Sequence, residues 1–379
     1  MYGLKLTLLL LSMLTMMAAA IIAPSLPDIA LEFQDFPQVE LLSKLILSIP
    51  ALFIALIAPF AGNYIDQFGR LRLLYIGLIG YAIGGTSGYF LNDLYLILSG
   101  RMLLGVSIGI IMTIAATLIG DYFEGESRRK FVGYQSAFIG LAGVVFMSLG
   151  GFLATLHWRI PFLIYLFSLL LIPLIFLFLK EPQSHLTTDR ESLPSPHRLL
   201  KVLFPIGTAV MILFYLMPTQ LPFLLDAIGL PAPSYSGNAL AVNALGIVFS
   251  SFFYSHIKKR FSFLQVAGTA LLMMGTGYFL TGSSMAFWAI LASVFLAGLG
   301  LGLFIANLNF WVLELSPHQI RGKNMGILTA CLFSGQFLSP IIAEPIVQMI
   351  NLSFLFKSSI FLVGLMGISL VAATKVLKA

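Results

Sequence analysis

Apolar runs long enough to cross a hydrocarbon core recur along this chain from one end to the other. They fall at about residues 5–26, 41–63, 71–91, 94–119, 132–155, 160–180, 200–223, 236–256, 263–282, 285–311, 324–347 and 354–377. A helix needs about 20 apolar residues to span a bilayer core of about 30 Å, so each run is read as a membrane-spanning helix. Composition agrees: 59% of the 379 residues are apolar, 9% are charged, and the mean hydropathy is +0.99. That leaves too little polar surface to coat a water-soluble globule.

The first run has a competing reading. Lys5, the stretch LTLLLLSMLTMM and Ala18 to Ala20 have the layout of a cleavable signal peptide. The apolar run continues through Ile21 and Ile22 to Pro24, and the region has a counterpart later in the chain, so it is read as the first span. Basic residues then set the orientation, because Lys and Arg of short loops stay on the cytoplasmic side. With both termini inside, seventeen of the 21 basic residues are cytoplasmic, leaving Lys44, Arg101, Arg159 and Lys357. This asymmetry explains the net charge of +6 without a nucleic-acid partner. The expected location is the inner, cytoplasmic membrane. Cys331 is the only cysteine, so no intrachain disulfide forms.

The polar stretch KEPQSHLTTDRESLPSPHR, Lys180 to Arg198, reads as a flexible linker and divides the spans six and six. The expected organisation is a six-helix bundle at 1–180, a cytoplasmic linker at 181–199 and a second bundle at 200–379. Short motifs repeat across the linker. Arg128, Lys130, Gly133 and Ala137 match Arg321, Lys323, Gly326 and Ala330 at an offset of 193. Leu26-Pro27, after Pro24, matches Leu221-Pro222, after Pro218; the loop Tyr64 to Arg70 corresponds to His256 to Ser262, where IDQFG has become IKKRFS. Two parallel six-helix repeats around a central path are a transporter architecture. The fold class is therefore all-α membrane protein, twelve helices in two pseudo-symmetric bundles.

Gly62, Asp66, Gly69 and Arg70, spaced G-x-x-x-D-x-x-G-R between spans 2 and 3, resemble the signature loop of the major facilitator superfamily. The resemblance covers the whole chain. Arg101, Gly105 and Gly109 in RMLLGVSIG look like a second signature, and APSLPDIALEF with HWRIPF looks like the twelve-helix drug:proton antiporter branch. The chain departs from that branch in two places: Phe146-Met147, not Gly-Pro, precede Gly150-Gly151, and Ala18 to Ala20 stand where a carboxylate is often found. The resemblance implies alternating access, with Gly62, Asp66, Gly69 and Arg70 as a conformational switch and Asp66 holding the outward-open state. Physically, a helix ending in a tight turn favours glycine, Gly62 permits close helix approach, and Asp66 suits the positive end of a neighbouring helix.

Arg101 lies about 12 Å along span 4 from Asp93, inside the hydrocarbon, where an arginine needs partners or hydration. A coupling or cavity role is expected of it, against the alternatives of snorkelling or tying span 4 to span 1. Asp28, or backbone carbonyls loosened by Pro24, are its candidate partners. Glu314, Glu344 and Asp226 are read as shallow, interfacial acids. A substrate cavity is sketched by in-span polar residues: Gln135, Tyr215, Gln220, Asn243, Asn307, Asn309 and Gln336. Neutral hydrogen-bonding groups among many Phe, Met and Leu suit a largely apolar substrate, although each alone also suits a bridge between helices. Gly298, Gly300 and Gly302 imitate a nucleotide loop but are read as close helix packing.

An enzyme would need buried His, Asp or Glu clusters, and a nucleotide-driven pump would need G-x-x-x-x-G-K-[ST]; the sequence has neither. No cofactor or metal is expected. The expectation is a monomeric secondary transporter that exports amphiphilic small molecules or drugs against protons. The alternatives are a carrier for one metabolite, such as a sugar, amino acid or siderophore, and, in another class, a membrane receptor or lipid-modifying enzyme.

Overall fold

In a computed structural model of the chain the apolar runs form the helices α1 (Tyr2–Ala20), α2 (Leu26–Glu32), α3 (Val39–Phe68), α4 (Arg70–Phe90), α5 (Leu94–Tyr122), α6 (Gly125–Leu156), α7 (Phe167–Phe178), α8 (Leu200–Ala227), α9 (Pro233–Lys258), α10 (Phe263–Ser283), α11 (Phe287–Glu314), α12 (Arg321–Met349) and α13 (Leu352–Val376). The structure describes residues 2–181, 197–317 and 320–376, without the side chains of residues 59, 61–67, 375 and 376. Among the described residues twelve segments are long and apolar enough to cross a membrane, α1 with α2 counting as one. Contacts divide the chain into one unit of Met1–Thr188 with Ala232–Gly237 and a second of Asp189–Pro231 with Asn238–Ala379. Most of the linker expected at 181–199 lies outside the described residues.

Prolines shape the first span. Pro24 and Pro27 have no amide to offer the carbonyls four residues earlier, so α1 stops at Ala20 and a 3₁₀ turn over Ala23–Ser25 leads into α2. The α1 helix packs on α6, α5 and α7, burying Leu8, Leu11, Leu14 and Met17. The second span runs further than expected. Helix α3 continues to Phe68, so Gly62 and Asp66 lie within a helix, and the turn into α4 is Gly69 alone at φ +85°. A residue with a Cβ resists that left-handed geometry. The side chain of Asp66 lies outside the described residues.

The internal repeat is visible in the glycine contacts. A Cβ on Gly84 of α4 would strike Gly100 and Leu104 of α5; one on Gly277 of α10 would strike Ser293 and Ala297 of α11, and every one of these residues is displaced by 193. Gly105 meets the Pro50 carbonyl of α3, and Gly298 meets the Asn243 carbonyl of α9, again at 193. Gly298, Gly300 and Gly302 all abut the backbones of α9 or α10, the close packing expected of them.

Candidate functional site

The polar centre of the first unit is Arg101, fully buried on α5. Its Nε donates to the Ile46 carbonyl at 2.9 Å, and its Nη2 donates to the Ala18 carbonyl at 3.1 Å and to the Tyr165 hydroxyl at 3.0 Å. Tyr165 in turn donates to the Ala18 carbonyl at 2.8 Å. Both carbonyls are spare by construction. The helical donor for Ile46 would be residue 50, which is Pro50, and Ala18 lies in the last turn of α1, where carbonyls lack intrahelical partners. The guanidinium carbon also lies 5.0 Å from the Tyr165 ring centre. An arginine at mid-membrane costs about 2.5–3.5 kcal/mol. Three bonds from a charged donor, at about 1.5–3 kcal/mol each, outweigh that. The carbonyls that hold Arg101 are only in part those expected: Ala18 lies at the end of the helix that Pro24 interrupts, but Ile46 is freed by Pro50, and Asp28, on α2, is not among the bonds of Arg101. One nitrogen, Nη1, is buried without a hydrogen bond.

At the other end of this unit the Arg70 Nε lies 2.7 Å from Asp121 Oδ2 on α5. The Glu181 carboxylate accepts from the amides of Arg70 at 2.6 Å and Leu71 at 2.8 Å, placing a negative charge on the positive end of α4. Gly69 and Arg70 are thus brought together with Asp121 and Glu181, two acids that the sequence reading did not single out. The Gln135 amide donates to Ser12 Oγ at 2.8 Å, joining α6 to α1.

In the second unit the residue at the Arg101 register is Val294, whose carbonyl accepts from Asn243 Nδ2 at 2.7 Å. A neutral tie from α9 to α11 thus stands where the first unit has a charged tie from α5 to α3. Asn307 joins three helices: its Nδ2 donates to the Phe263 carbonyl at 3.0 Å and its Oδ1 accepts from Tyr254 at 3.3 Å. Asn309 bonds within its own helix. Asn243 and Asn307 therefore tie helices together in this structure. Gln220 differs. It lies on α8 between Pro218 and Pro222, fully buried, with neither Nε2 nor Oε1 hydrogen-bonded. Tyr215 is buried one turn earlier on α8. Gln336, half-buried on α12, sits four residues before Pro340, which packs with that helix against α8.

Glu344 requires a correction. Expected at the interface, it is 2% exposed, the only acidic side chain buried among the described residues, with Gln348 Nε2 donating to it at 3.4 Å. It directly precedes Pro345 on α12, a helix that packs on α8, α11 and α13. Hydropathy places a residue along a span but does not say which way it faces, which is why depth alone misjudged it. Lys44 is also fully buried, on α3. Asp226 and Glu314 are exposed, as expected. Among the described residues, no cluster of His, Cys, Asp and Glu could hold a metal.

Two repeated helical units, each with a buried polar centre inside an apolar shell, define a polytopic membrane transporter. A sequence profile of the Major Facilitator Superfamily matches residues 8–340 and 203–378, and the chain belongs to that superfamily. Membership makes it a transporter and not an enzyme. Over 129 residues it is 33% identical to Multidrug resistance protein 1 of Bacillus subtilis (strain 168), covering 34% of this chain and 33% of that one. Over 304 residues it is 22% identical to Quinolone resistance protein NorA of Staphylococcus aureus (strain MSSA476), covering 76% of each. Its fold is similar to that of a D-xylose-proton symporter, with a TM-score of 0.77, 16% identity and coverage of 98% and 96%.

Proposed function

We propose that the protein exports amphiphilic small molecules, drugs among them, in exchange for protons, by alternating access. It acts as a monomer in the inner membrane, with both termini cytoplasmic. The observation that carries this reading is its likeness, over 76% of the chain, to a protein named for quinolone resistance. The geometry fits such cargo. Tyr215, Gln220 and Gln336 bind substrate through a few polar atoms set in an apolar wall. An unpaired buried amide costs about 1–3 kcal/mol for each unmet group, a penalty that a bound polar atom relieves. Gln135 ties helices of the first unit, and Asn243 and Asn307 tie helices of the second.

Glu344 carries the proton in this reading, because it is the only acidic side chain buried among the described residues and it lies within a membrane-spanning helix, where ionisable residues mark ion and proton paths. The other charged residues on the helices packed against α12 are Lys201 and Asp226 on α8, Glu314 on α11, and Lys357 and Lys375 on α13, the last with its side chain outside the described residues. Arg101 is the fixed charge of the first unit, and Gly62, Asp66, Gly69 and Arg70 form the switch. Asp28, at the mouth of span 1, is a second proton-exchanging acid. The test is drug efflux from cells expressing the protein. Wild type lowers ethidium accumulation and Glu344→Gln does not, at equal membrane abundance; unchanged efflux by Glu344→Gln removes that residue from the mechanism.

A further inference from the structure

Helices α9, α10 and α11 enclose a groove of about 400 Å³ in the second unit. Its wall is apolar and includes Phe249, Phe253, Ile257, Val266, Met273 and Leu303. Phe249 and Phe253 are exposed, so the groove opens on the outside of the unit. At its end, beside the lining residues Ile257 and Phe261, stand Lys258, Lys259 and Arg260, three consecutive cations. Among the described residues none of the three makes an ion pair. Glu314 on α11 is the acid at the matching position of the repeat, and it is exposed and not bridged to them. Lys258 is held in place, its Nζ 3.8 Å from the centre of the Phe263 ring.

The first unit shows what is missing. There the amino end of α4 receives the Glu181 carboxylate, and Arg70 is paired with Asp121. The helix caps Gly69 and Ser262 shift the loop correspondence by one residue from that read in the sequence, so at the same register of the second unit Arg70 has become Phe263, and α10 is capped only by the neutral Ser262 and Gln265 side chains. The protein supplies an anion at one site and three unpaired cations beside an apolar groove at the other. We propose that the groove binds an acyl chain of an anionic phospholipid, whose phosphate is held by Lys258, Lys259 and Arg260.

Native mass spectrometry of the full-length protein, titrated with phosphatidylglycerol or phosphatidylcholine of identical chains, tests this. Phosphatidylglycerol should bind at least about tenfold more tightly than phosphatidylcholine. That preference should vanish in the K258A/K259A/R260A variant and persist in K258R/K259R/R260K. Thr269→Trp, which fills the groove while keeping every charge, should weaken phosphatidylglycerol binding by a similar factor. Equal binding of the two lipids to wild type, or an undiminished preference after the three alanines, overturns the proposal. So does normal binding by Thr269→Trp, or displacement of the lipid by millimolar inorganic phosphate, since either places the headgroup alone on a charged surface.

Discussion

Arg101 Nε donates across 2.9 Å to the carbonyl of Ile46, the carbonyl that Pro50 leaves without a helical donor. A proline on one span thus creates the acceptor that lets an arginine on another stay in the hydrocarbon. The same guanidinium reaches the frayed end of α1 and Tyr165, so one charge links three spans and the 3₁₀ segment before α7.

Tyr165→Phe removes an acceptor for Nη2 and a donor to Ala18, and should lower stability by about 1–3 kcal/mol. Arg101→Ala should cost more and Arg101→Lys an intermediate amount, because lysine keeps the charge but loses the fork. Thermal unfolding in detergent reads the order; equal midpoints for all three and wild type would show that the network contributes nothing.

At Gln220 stability and function should part. Gln220→Leu replaces an unpaired buried amide by an apolar group of similar size, and should raise the unfolding free energy by about 1 kcal/mol. The same variant should raise the transport KM at least about fivefold, on the order of the 1–3 kcal/mol a hydrogen bond to a buried amide supplies. A destabilised Gln220→Leu with normal KM would mean that the amide is satisfied within the protein.

Glycine replacements sort by what a Cβ meets. Gly298→Ala sets a methyl against the Asn243 carbonyl and should cost about 1–3 kcal/mol, as should Gly105→Ala against Pro50. Gly268→Ala, with nothing within 4 Å, should gain about 0.5–1 kcal/mol from helix propensity alone. Unfolding midpoints of the three variants check the contrast.

Breaking the cap at the start of α4 should be mild. Glu181 is exposed, so Glu181→Gln should cost no more than about 1 kcal/mol, whereas Gly69→Ala also strains a backbone at φ +85°. Salt should shrink the first effect and leave the second, as unfolding in low and high sodium chloride would show.

Span number was legible in the sequence because it is written in hydropathy, and the repeat register was legible to within one or two residues, because its motifs recur at offsets of 192 to 195. The polar interior was less so. Arg101 announced itself as a charge in an apolar run, and Pro50 four residues after Ile46 was a signal that could have named its acceptor. Glu344 hid because α12 carries polar and small residues around much of its circumference, leaving no clear buried face in the pattern. Glu181 was masked by its place in a polar linker, since its role depends on a helix end brought to it by the fold.

The central claim, proton-driven export, is tested most directly in liposomes holding the purified protein and ethidium, with a pH gradient imposed across the membrane. Ethidium flux should rise several-fold with the gradient, fall to the ungraded rate when a protonophore is added, and show no gradient response in Glu344→Gln. Equal flux with and without the gradient in wild type would contradict the account.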